Sequence, residues 1–287
     1  MTISVVIPSF NHARFIRATL DSVLDQDGVA VEVLVFDGGS QDGTVEILKS
    51  YGGKIKWVSN KDRGQTHAIN QGLRKATGDV LAYLNSDDVY LPGALAKVDK
   101  YFRDYPAAQV VYGDAWHLRE DGSVMERYPS ELWDYQRLGQ TCFICQPATF
   151  WRREVMERFG HFDERRDWCM DYEYWLRVGK TLPFHFLEGE YLAGSRLHED
   201  TKTLRMRYPV HRQILDTVLQ YANSVPYEWL LHLANAKVHH ERSAGADERP
   251  ATHHGAMLAD MVLSLAGEYR IPLTPTFLDE LKRRCAL

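Results

Sequence analysis

Two short acidic segments of this sequence carry residue types suited to group-transfer chemistry. The first, Asn85-Ser86-Asp87-Asp88, directly follows the apolar run Val80–Leu84. Mg²⁺ and Mn²⁺ prefer oxygen ligands and keep open positions for phosphate, so a carboxylate at a strand end could hold such an ion beside a diphosphate. The alternative is a structural turn in which an aspartate caps the next helix.

The second acidic segment is Asp171-Tyr172-Glu173. Carboxylates are among the side chains that can accept a proton in group transfer. Asp171 and Glu173 are two positions apart and cannot share one helix face, so their roles must differ. The structural alternative for Asp171 is a plain N-cap, typically worth about 1 kcal/mol.

Strand and helix patterns alternate along the first hundred residues. Strands separated by helices of this length predict βαβ units and a mostly parallel sheet. Right-handed crossovers bring the carboxyl ends of such strands to one edge, where open α/β sheets bind their ligands. The predicted strands are 3–8, 31–36, 54–59 and 80–84, and the predicted helices are 13–26, 44–51 and 65–76.

Each predicted strand is followed by a polar or acidic segment. We expect these four segments to meet at one crevice, because they share one edge of the sheet. They are Pro8–Asn11, Asp37–Ser40, Asn60–Gly64 and Asn85–Asp88.

The remainder of the chain changes character twice. Asp121-Gly122 between two β-rich runs predicts a hairpin of 109–118 and 123–128. After about residue 204 the pattern is helical, which predicts a domain over 1–203 and a helical C-terminal region over 204–287. The apolar stripes of that region are typical of core, although contact with a membrane surface and dimerisation stay open. Its predicted helices are 208–221, 227–242, 255–269 and 276–284, with a connector at Ser243–Pro250.

Composition excludes several classes of protein. The chain has 287 residues, 45% of them hydrophobic, which suffices for a substantial core. A net charge of −5 gives no reason to expect a nucleic-acid partner. The chain has no run of 18 or more apolar residues, so we expect no membrane-spanning helix. The first residues also lack the basic and apolar regions of a signal peptide. We therefore expect a cytoplasmic protein, with the inner membrane face left open.

Several blocks of this sequence resemble family 2 glycosyltransferases in their order and spacing. The resemblance extends over about residues 1 to 200 and rests on linked motifs. A second signature, around Phe162–Glu164 and Asp171–Arg177, resembles the family segment that carries the catalytic base. The upstream blocks are Ser4–Asn11, Gln26–Asp27, Val35–Thr44, Asp62–Gln65, Ala68–Gly72, Ala76–Asp79 and Leu84–Asp88.

The resemblance implies a GT-A fold, a Rossmann-like mostly parallel sheet flanked by helices. It also implies a nucleotide-sugar donor, a Mn²⁺ or Mg²⁺ cofactor and inversion at the anomeric carbon. A carboxylate at Asp37 would suit the ring N–H of uracil or thymine, and Asn85 stands where the family's metal motif begins with an acid. The nucleotide-binding residues implied are Pro8, Phe10, Asn11, Asp37, Asp62, Arg63, Gly64, Asn85 and Ser86.

The same resemblance assigns the reacting groups. Asp87 matches the last acid of the metal motif, and His198 matches a late segment that reaches back to the diphosphate. Asp171 matches the base, with Met170 in place of a preceding acid. The residues expected on the acceptor or sugar side are Asp88, Gln146, Trp168 and Glu173.

Taken together, these features predict transfer of a sugar from a UDP- or dTDP-sugar to an acceptor hydroxyl. The acceptor would be a glycan or a lipid-linked saccharide in the assembly of cell-surface polysaccharide. Two alternatives are a nucleotidyltransferase and a non-catalytic protein that binds nucleotide-sugars. A nucleotidyltransferase normally has a glycine-rich phosphate loop after its first strand, whereas the loop Pro8–His12 has no glycine.

Overall fold

The computed structural model describes residues 1–166, 168–201, 205–221, 225–243 and 253–286. They form two compact units, one of residues 1–134 and 142–198 and one of residues 135–141 and 199–287. The domain boundary predicted after residue 203 and nearly all of the predicted connector fall outside the described residues.

A nine-stranded sheet forms the centre of the first unit. The strands are β1 (Thr2–Ser9), β2 (Ala30–Asp37), β3 (Lys56–Ser59), β4 (Val80–Tyr83), β5 (Val89–Tyr90), β6 (Val110–Leu118), β7 (Val124–Arg127), β8 (Thr149–Arg152) and β9 (His185–Arg196). Their order is β3-β2-β1-β4-β8-β6-β9-β5, with β7 paired to β6.

The parallel part of the sheet contains the four strands predicted first. β1 lies between β2 and β4, and β3 extends this parallel set beyond β2. The α/β fold class predicted from the sequence is therefore confirmed. β8 runs antiparallel to β4 and β6, and β9 runs parallel to β6. The predicted hairpin is also confirmed, because β6 and β7 pair antiparallel across Asp121-Gly122.

Helices cover the sheet where apolar residues recur at helical spacing. They are α1 (Ile16–Leu24), α2 (Thr44–Ser50), α3 (Gln65–Lys75), α4 (Ala94–Asp104), α6 (Arg153–Phe159) and α7 (Met170–Gly179), with α5 (Tyr135–Leu138) belonging to the second unit. α3 approaches β1 closely at Gly72, where an added Cβ would lie 2.2 Å from Cγ1 of Val6. That contact explains a glycine inside a helix, where it otherwise costs stability.

The second unit is helical, as predicted. It contains α5, α8 (Arg207–Tyr221), α9 (Tyr227–Ser243), α10 (His254–Glu268) and α11 (Pro275–Cys285). Leu230, Val262 and Leu281 are buried, so the apolar stripes form core. α11 begins with Pro275 and is capped by Thr274, whose side chain accepts a hydrogen bond from the Phe277 amide. Across the described ranges, every helix is too short or too polar to cross a bilayer.

Candidate active site

The loops after β1 and β2 are joined by hydrogen bonds through Asn11. Its backbone N–H donates to Ser40 Oγ at 2.7 Å, and its Oδ1 accepts from the Gln41 amide at 3.0 Å. Asn11 adopts a φ of 53°, a conformation that asparagine tolerates better than most residues. Pro8 is buried inside β1, where it pairs with Phe36. Asn11 and Pro8 therefore shape the loop that presents Phe10.

The carboxylate of Asp37 closes the turn that follows β2. Its Oδ2 accepts from the amides of Gly39 and Ser40 and from Ser59 Oγ, at 3.0, 2.9 and 2.6 Å. Its Oδ1 accepts from Ser40 Oγ, and the residue is 3% exposed. Oδ1 accepts a single hydrogen bond and keeps further acceptor capacity, so the contact between Asp37 and a base stays a prediction.

An exposed aromatic ring and a carboxylate lie beside this turn. The ring of Phe10 is 61% exposed. Both groups lie close to Gly38, because a Cβ there would come within 3.2 Å of the Phe10 ring and 3.1 Å of Asp62 Oδ2. The other oxygen of Asp62 accepts from the Gly64 amide at 2.8 Å, which fixes the carboxylate. The region beside Gly38 thus combines an aromatic face with an oriented acceptor.

Arg63 follows Asp62 in the loop after β3. It is largely exposed and its Nη2 donates to Glu164 Oε2 at 2.6 Å. This ion pair links the loop after β3 to the segment before α7. Surface ion pairs are weak, typically under about 1 kcal/mol, so Arg63 can exchange Glu164 for a phosphate at little cost.

Alternate residues of the loop after β4 face opposite ways. Asn85 and Asp87 are partly exposed, whereas Ser86 and Asp88 are buried. The hydroxyl of Ser86 lies 2.7 Å from His12 Nδ1, so it holds the loop. The hydroxyl is enclosed, and the contact between Ser86 and a nucleotide stays a prediction.

Asp88 is likewise structural. Its Oδ1 accepts from the Arg196 amide at 2.8 Å, and its Oδ2 accepts from Asn85 Nδ2 at 3.1 Å. Burial and the neighbouring charge of Asp87 raise the pKa of Asp88 well above its ordinary value. The residue is 3% exposed, and its contact with acceptor or sugar stays a prediction.

A chain of amide groups connects three loops at this edge. Gln65 Nε2 donates to Asn85 Oδ1 at 2.7 Å, and Asn85 Nδ2 lies 3.3 Å from Gln146 Oε1. Gln146 in turn donates to the carbonyl of Tyr83 at 2.7 Å. Gln146 is 7% exposed, so it supports the loop more than it offers a surface to acceptor.

Asp87 and His198 form a pair at the end of β4. Asp87 Oδ2 lies 3.0 Å from His198 Nε2, and the imidazole is almost fully enclosed. Two ligand atoms about 2.1 Å from one ion and at right angles to each other would be about 3.0 Å apart. The pair therefore fits two adjacent positions of an octahedral ion. In the part of the chain that the structure describes, no three His, Cys, Asp or Glu residues form a metal site, so phosphate oxygens or water would complete the coordination.

Asp171 lies in the first turn of α7, after the N-cap residue Cys169. Its Oδ1 accepts from the Tyr172 amide at 2.8 Å. Among the described residues Oδ2 has no hydrogen-bond partner, and it is not one of the enclosed unpartnered atoms. Burial raises the pKa of Asp171, which makes the carboxylate a stronger base. An accessible carboxylate of this kind suits proton abstraction.

Asp171 and Asp88 both lie near Tyr83 at the end of β4. Both carboxylates raise the pKa of the Tyr83 phenol, after the larger effect of burial. Tyr83 is the last residue of β4, directly before the Asn85–Asp88 loop. The candidate base and the Asp87 loop therefore border the same strand end.

Aromatic packing anchors α7 beneath Asp171. Trp175 and Tyr174 are buried against Trp151 and Phe162, with ring centroids 4.6 to 6.5 Å apart. Such clusters add stability beyond the area they bury. Trp168, expected on the acceptor side, is partly buried two residues before the helix.

Glu173 faces away from Asp171. It is 2% exposed and forms a two-bond ion pair with Arg177, at 2.8 and 2.9 Å. Arg177 also donates to the carbonyl of His161 at 2.9 Å. The Glu173 carboxylate is held by this buried ion pair, and its contact with acceptor or sugar stays a prediction.

One residue of this region, His12, was not predicted from the sequence. It touches Ser86 and lies near His198, and its burial lowers its pKa. His12 directly follows the Pro8–Asn11 motif, so its position offered a signal. Arg196 stands in the same late segment as His198 and donates from Nε to the Asp87 carbonyl at 2.8 Å. No sequence signal indicated that contact, because its target is a backbone atom far away in sequence.

Solved structures share this fold. The fragment 1–349 of S. aureus TarS, in complex with UDP-GlcNAc, superimposes with a TM-score of 0.62 at 19% identity, over 91% of this chain and 80% of the fragment. The mannosyltransferase PcManGT from Pyrobaculum calidifontis, in complex with GDP-Man and Mn²⁺, gives 0.57 at 18% identity, over 99% of this chain and 79% of that one. At these identities the similarity establishes a GT-A fold.

Sequence comparison defines the family. The model of glycosyl transferase family 2 matches residues 4–160, and the chain belongs to that family. A PGL/p-HBAD biosynthesis glycosyltransferase of Mycobacterium tuberculosis is 30% identical over 183 residues, which are 61% of this chain and 68% of the relative. An uncharacterized glycosyltransferase of Rickettsia felis is 27% identical over 214 residues, 69% of this chain. The matched region is only 34% of the length of that relative.

Proposed function

We propose that this chain transfers a sugar from a UDP- or dTDP-sugar to an acceptor hydroxyl, with inversion and with help from Mn²⁺ or Mg²⁺. The observation that carries the proposal is the position of two chemical groups at the end of β4. Asp87 of the Asp87–His198 pair lies on the loop after that strand. The accessible carboxylate of Asp171 lies near enough to Tyr83, the last residue of the strand, to raise the pKa of its phenol. Family 2 membership favours sugar transfer over nucleotidyl transfer.

The donor base would bind beside Phe10 and Asp62. Phe10 would stack on one face of the ring, and Asp62 Oδ2 would accept the ring N–H of uracil or thymine. A carboxylate is an acceptor only, so it matches that N–H and repels a ring nitrogen that carries a lone pair. TarS in complex with UDP-GlcNAc has the same fold, which supports a uridine donor.

The diphosphate would lie between Arg63 and Asp87. A divalent ion bound there would stabilise the negative charge that develops on the departing diphosphate. Asp87 and His198 would each supply one ligand atom, and Arg63 would exchange Glu164 for a phosphate oxygen. The neighbour PcManGT was solved with GDP-Man and Mn²⁺, which favours manganese.

Asp171 would act on the acceptor side. As the acceptor oxygen forms a bond to the anomeric carbon, the proton of the acceptor hydroxyl group moves to Oδ2 of Asp171. The bond from that carbon to the donor phosphate breaks, and the electron pair leaves with the nucleoside diphosphate. Attack from the face opposite the leaving group inverts the anomeric centre. General-base help of this kind typically contributes about 10² to 10⁴ in rate.

The acceptor would be a glycan or a lipid-linked saccharide of cell-surface polysaccharide assembly. Trp168 would contact it next to Asp171. Cytoplasmic location, contact with the inner membrane face and dimerisation through the C-terminal helices remain predictions.

The test is a donor panel assayed with the purified chain. UDP-, dTDP- and GDP-sugars are incubated with Mn²⁺, and released nucleoside diphosphate is measured with and without candidate glycan acceptors. We expect turnover with a UDP- or dTDP-sugar. Asp171→Asn should lower it by about 10² or more while UDP affinity stays within about twofold. The matched control is Asp279→Asn, on an exposed position of α11.

Two results would overturn the proposal. Near-normal turnover of Asp171→Asn would remove Asp171 as the base. Mn²⁺-dependent UDP binding without turnover of any donor, with or without acceptor, would favour a non-catalytic binding protein.

A further inference from the structure

A separate cleft opens at the start of α1. It is formed by Arg14, Phe15 and Ala18, by the hairpin tip Glu120–Gly122 and by Arg196 at the end of β9. Its volume of about 780 Å³ is within the range of small-molecule sites. The predicted donor and acceptor residues do not line it.

Arg196 is the unusual member of this cleft. It is 8% exposed, and it donates from Nε to the Asp87 carbonyl and from Nη1 to the Glu120 carbonyl, at 2.8 and 2.7 Å. It forms no ion pair with any carboxylate in the described ranges, where its Nη2 also lacks a hydrogen-bond partner. Nη2 is not among the enclosed unpartnered atoms, so it reaches the cleft. Asp88 and Asp121 interact with the guanidinium through space, and its carbon lies 5.2 Å from the centre of the Phe15 ring. None of these groups accepts a hydrogen bond from Nη2, so Nη2 can donate to an added anion.

The acidic residues of the cleft are engaged elsewhere. Glu120 pairs with Arg14 at 2.5 Å. Asp121 accepts from the Ser123 amide at 2.9 Å and so closes the hairpin turn. Neither carboxylate forms an ion pair with Arg196.

Gly122 leaves room over the guanidinium. Its φ is +86°, and an added Cβ would lie 3.4 Å from Nη1 and 3.9 Å from Nη2 of Arg196. A side chain at this position would be strained and would cover the charged edge. The hairpin tip therefore keeps that edge open.

His198 separates this cleft from the candidate metal position. Its Nε2 faces Asp87, whereas its Nδ1 lies 3.4 Å from Arg14 Nη2. The two ring nitrogens point to different sides of the imidazole. An anion in the cleft would thus lie behind His198 and would be distinct from a donor diphosphate.

We propose that this cleft binds a phosphate group, with Nη2 of Arg196 as its principal contact. A guanidinium suits phosphate oxygens in both charge and geometry. The phosphate would be either free inorganic phosphate or the phosphate of a phosphorylated saccharide. Because Arg196 also holds the Asp87 carbonyl, the occupied cleft would restrain the loop that carries Asp87.

The test is calorimetric titration of the whole chain with inorganic phosphate and with a sugar phosphate monoester, at constant ionic strength. Wild-type protein should bind in a saturable manner. Ala18→Glu places a negative charge at the exposed edge of the cleft and should weaken binding by about tenfold. Ala30→Glu makes the same change at an exposed position that begins β2, and should bind like wild type.

The outcomes separate the sources and the sites. Tighter binding of the monoester identifies a phosphorylated saccharide, and equal binding identifies free phosphate. Absence of saturable binding by wild type, or equal binding by Ala18→Glu, would overturn the proposal. Mn²⁺-dependent UDP affinity is measured in the same variants. If Ala18→Glu loses this UDP affinity, the cleft is not a separate site. If Ala18→Glu keeps it, the change in phosphate binding is independent of the proposed transferase activity.

Discussion

Oδ2 of Asp87 and Nε2 of His198 lie 3.0 Å apart, although 111 positions separate these residues in the chain. Asp87 follows β4 and His198 follows β9, and the sheet order places β8 and β6 between those strands. The loops after the two strands nevertheless meet. The resulting pair can supply one carboxylate oxygen and one imidazole nitrogen to the same ion, a ligand set that suits manganese better than magnesium.

Removal of either ligand should weaken metal-dependent nucleotide binding. Asp87→Asn and His198→Ala should each lower the affinity for UDP in the presence of Mn²⁺ by about tenfold or more, since loss of even an outer partner typically costs 10- to 100-fold. Calorimetric titration with Mn²⁺ and with EDTA measures the effect. Asp25→Asn, at an exposed position after α1, is the control. Unchanged affinity in both variants would mean that the pair does not bind metal.

The rate should fall in acid because of Asp171. A base must be ionised to accept a proton, so activity is present above its pKa and is lost as pH falls through it. Burial raises the pKa of Asp171, so the acidic limb of kcat/KM should lie above the ordinary aspartate value of about 3.9. A pH profile, restricted to conditions where circular dichroism shows folded protein, measures it. A profile that stays flat down to pH 4 contradicts the assignment.

Phe10 should matter for binding and little for stability. Its ring is 61% exposed, so Phe10→Ala should change the free energy of unfolding by less than about 0.5 kcal/mol. Loss of a stacking partner should lower UDP affinity by about 1 to 3 kcal/mol, as for other aromatic platforms. Leu132→Ala, 67% exposed, removes a comparable side chain elsewhere. Equal UDP affinity of Phe10→Ala and wild type would exclude stacking of the donor base on Phe10.

Glu32 should stabilise the fold at neutral pH. Burial opposes its ionisation, but hydrogen bonds from Lys56, Ser4 and Thr77 outweigh that effect and lower its pKa from 4.5 to about 2. The stabilisation is complete above the unfolded pKa and is lost as pH falls toward 2. Glu32→Gln should thus cost up to about 3 kcal/mol at pH 7, and much less near pH 2.

Urea unfolding across pH measures this dependence. Glu46→Gln, at an exposed position of α2, should have little effect at any pH. A cost for Glu32→Gln that does not change with pH would contradict the charge-based explanation.

The exposure of side chains in the Asn85–Asp88 loop depends on a turn. The Asp88 amide donates to the Asn85 carbonyl at 3.0 Å. Asn85 and Asp87 are partly exposed, while Ser86 and Asp88 are enclosed. Strand alternation does not apply to a turn, so the local sequence did not indicate which of these side chains would be enclosed.

β8 and β9 were beyond prediction from local pattern. β8 has only four residues, Thr149–Arg152, and most of them are buried. β9 is interrupted by irregular pairing near Asp114, and its polar stretch Glu188–Glu190 hides the alternation. Both strands are stabilised by pairing with β6, which is a long-range interaction. Propensity within a short window does not contain that information.

The sequence alone determined the parallel half of the sheet and the helical second unit, and it predicted the reacting groups, because periodicity and strand-end motifs are local properties. Tertiary structure decided which acids are enclosed. Asp37, Asp88 and Glu173 have the same carboxylate chemistry as Asp62, Asp87 and Asp171, but the first three are enclosed. Donors from distant segments reach Asp37 and Asp88, and Arg177 of the same helix holds Glu173. Whether a carboxylate meets a substrate or a backbone amide depends on the neighbours that folding brings to it.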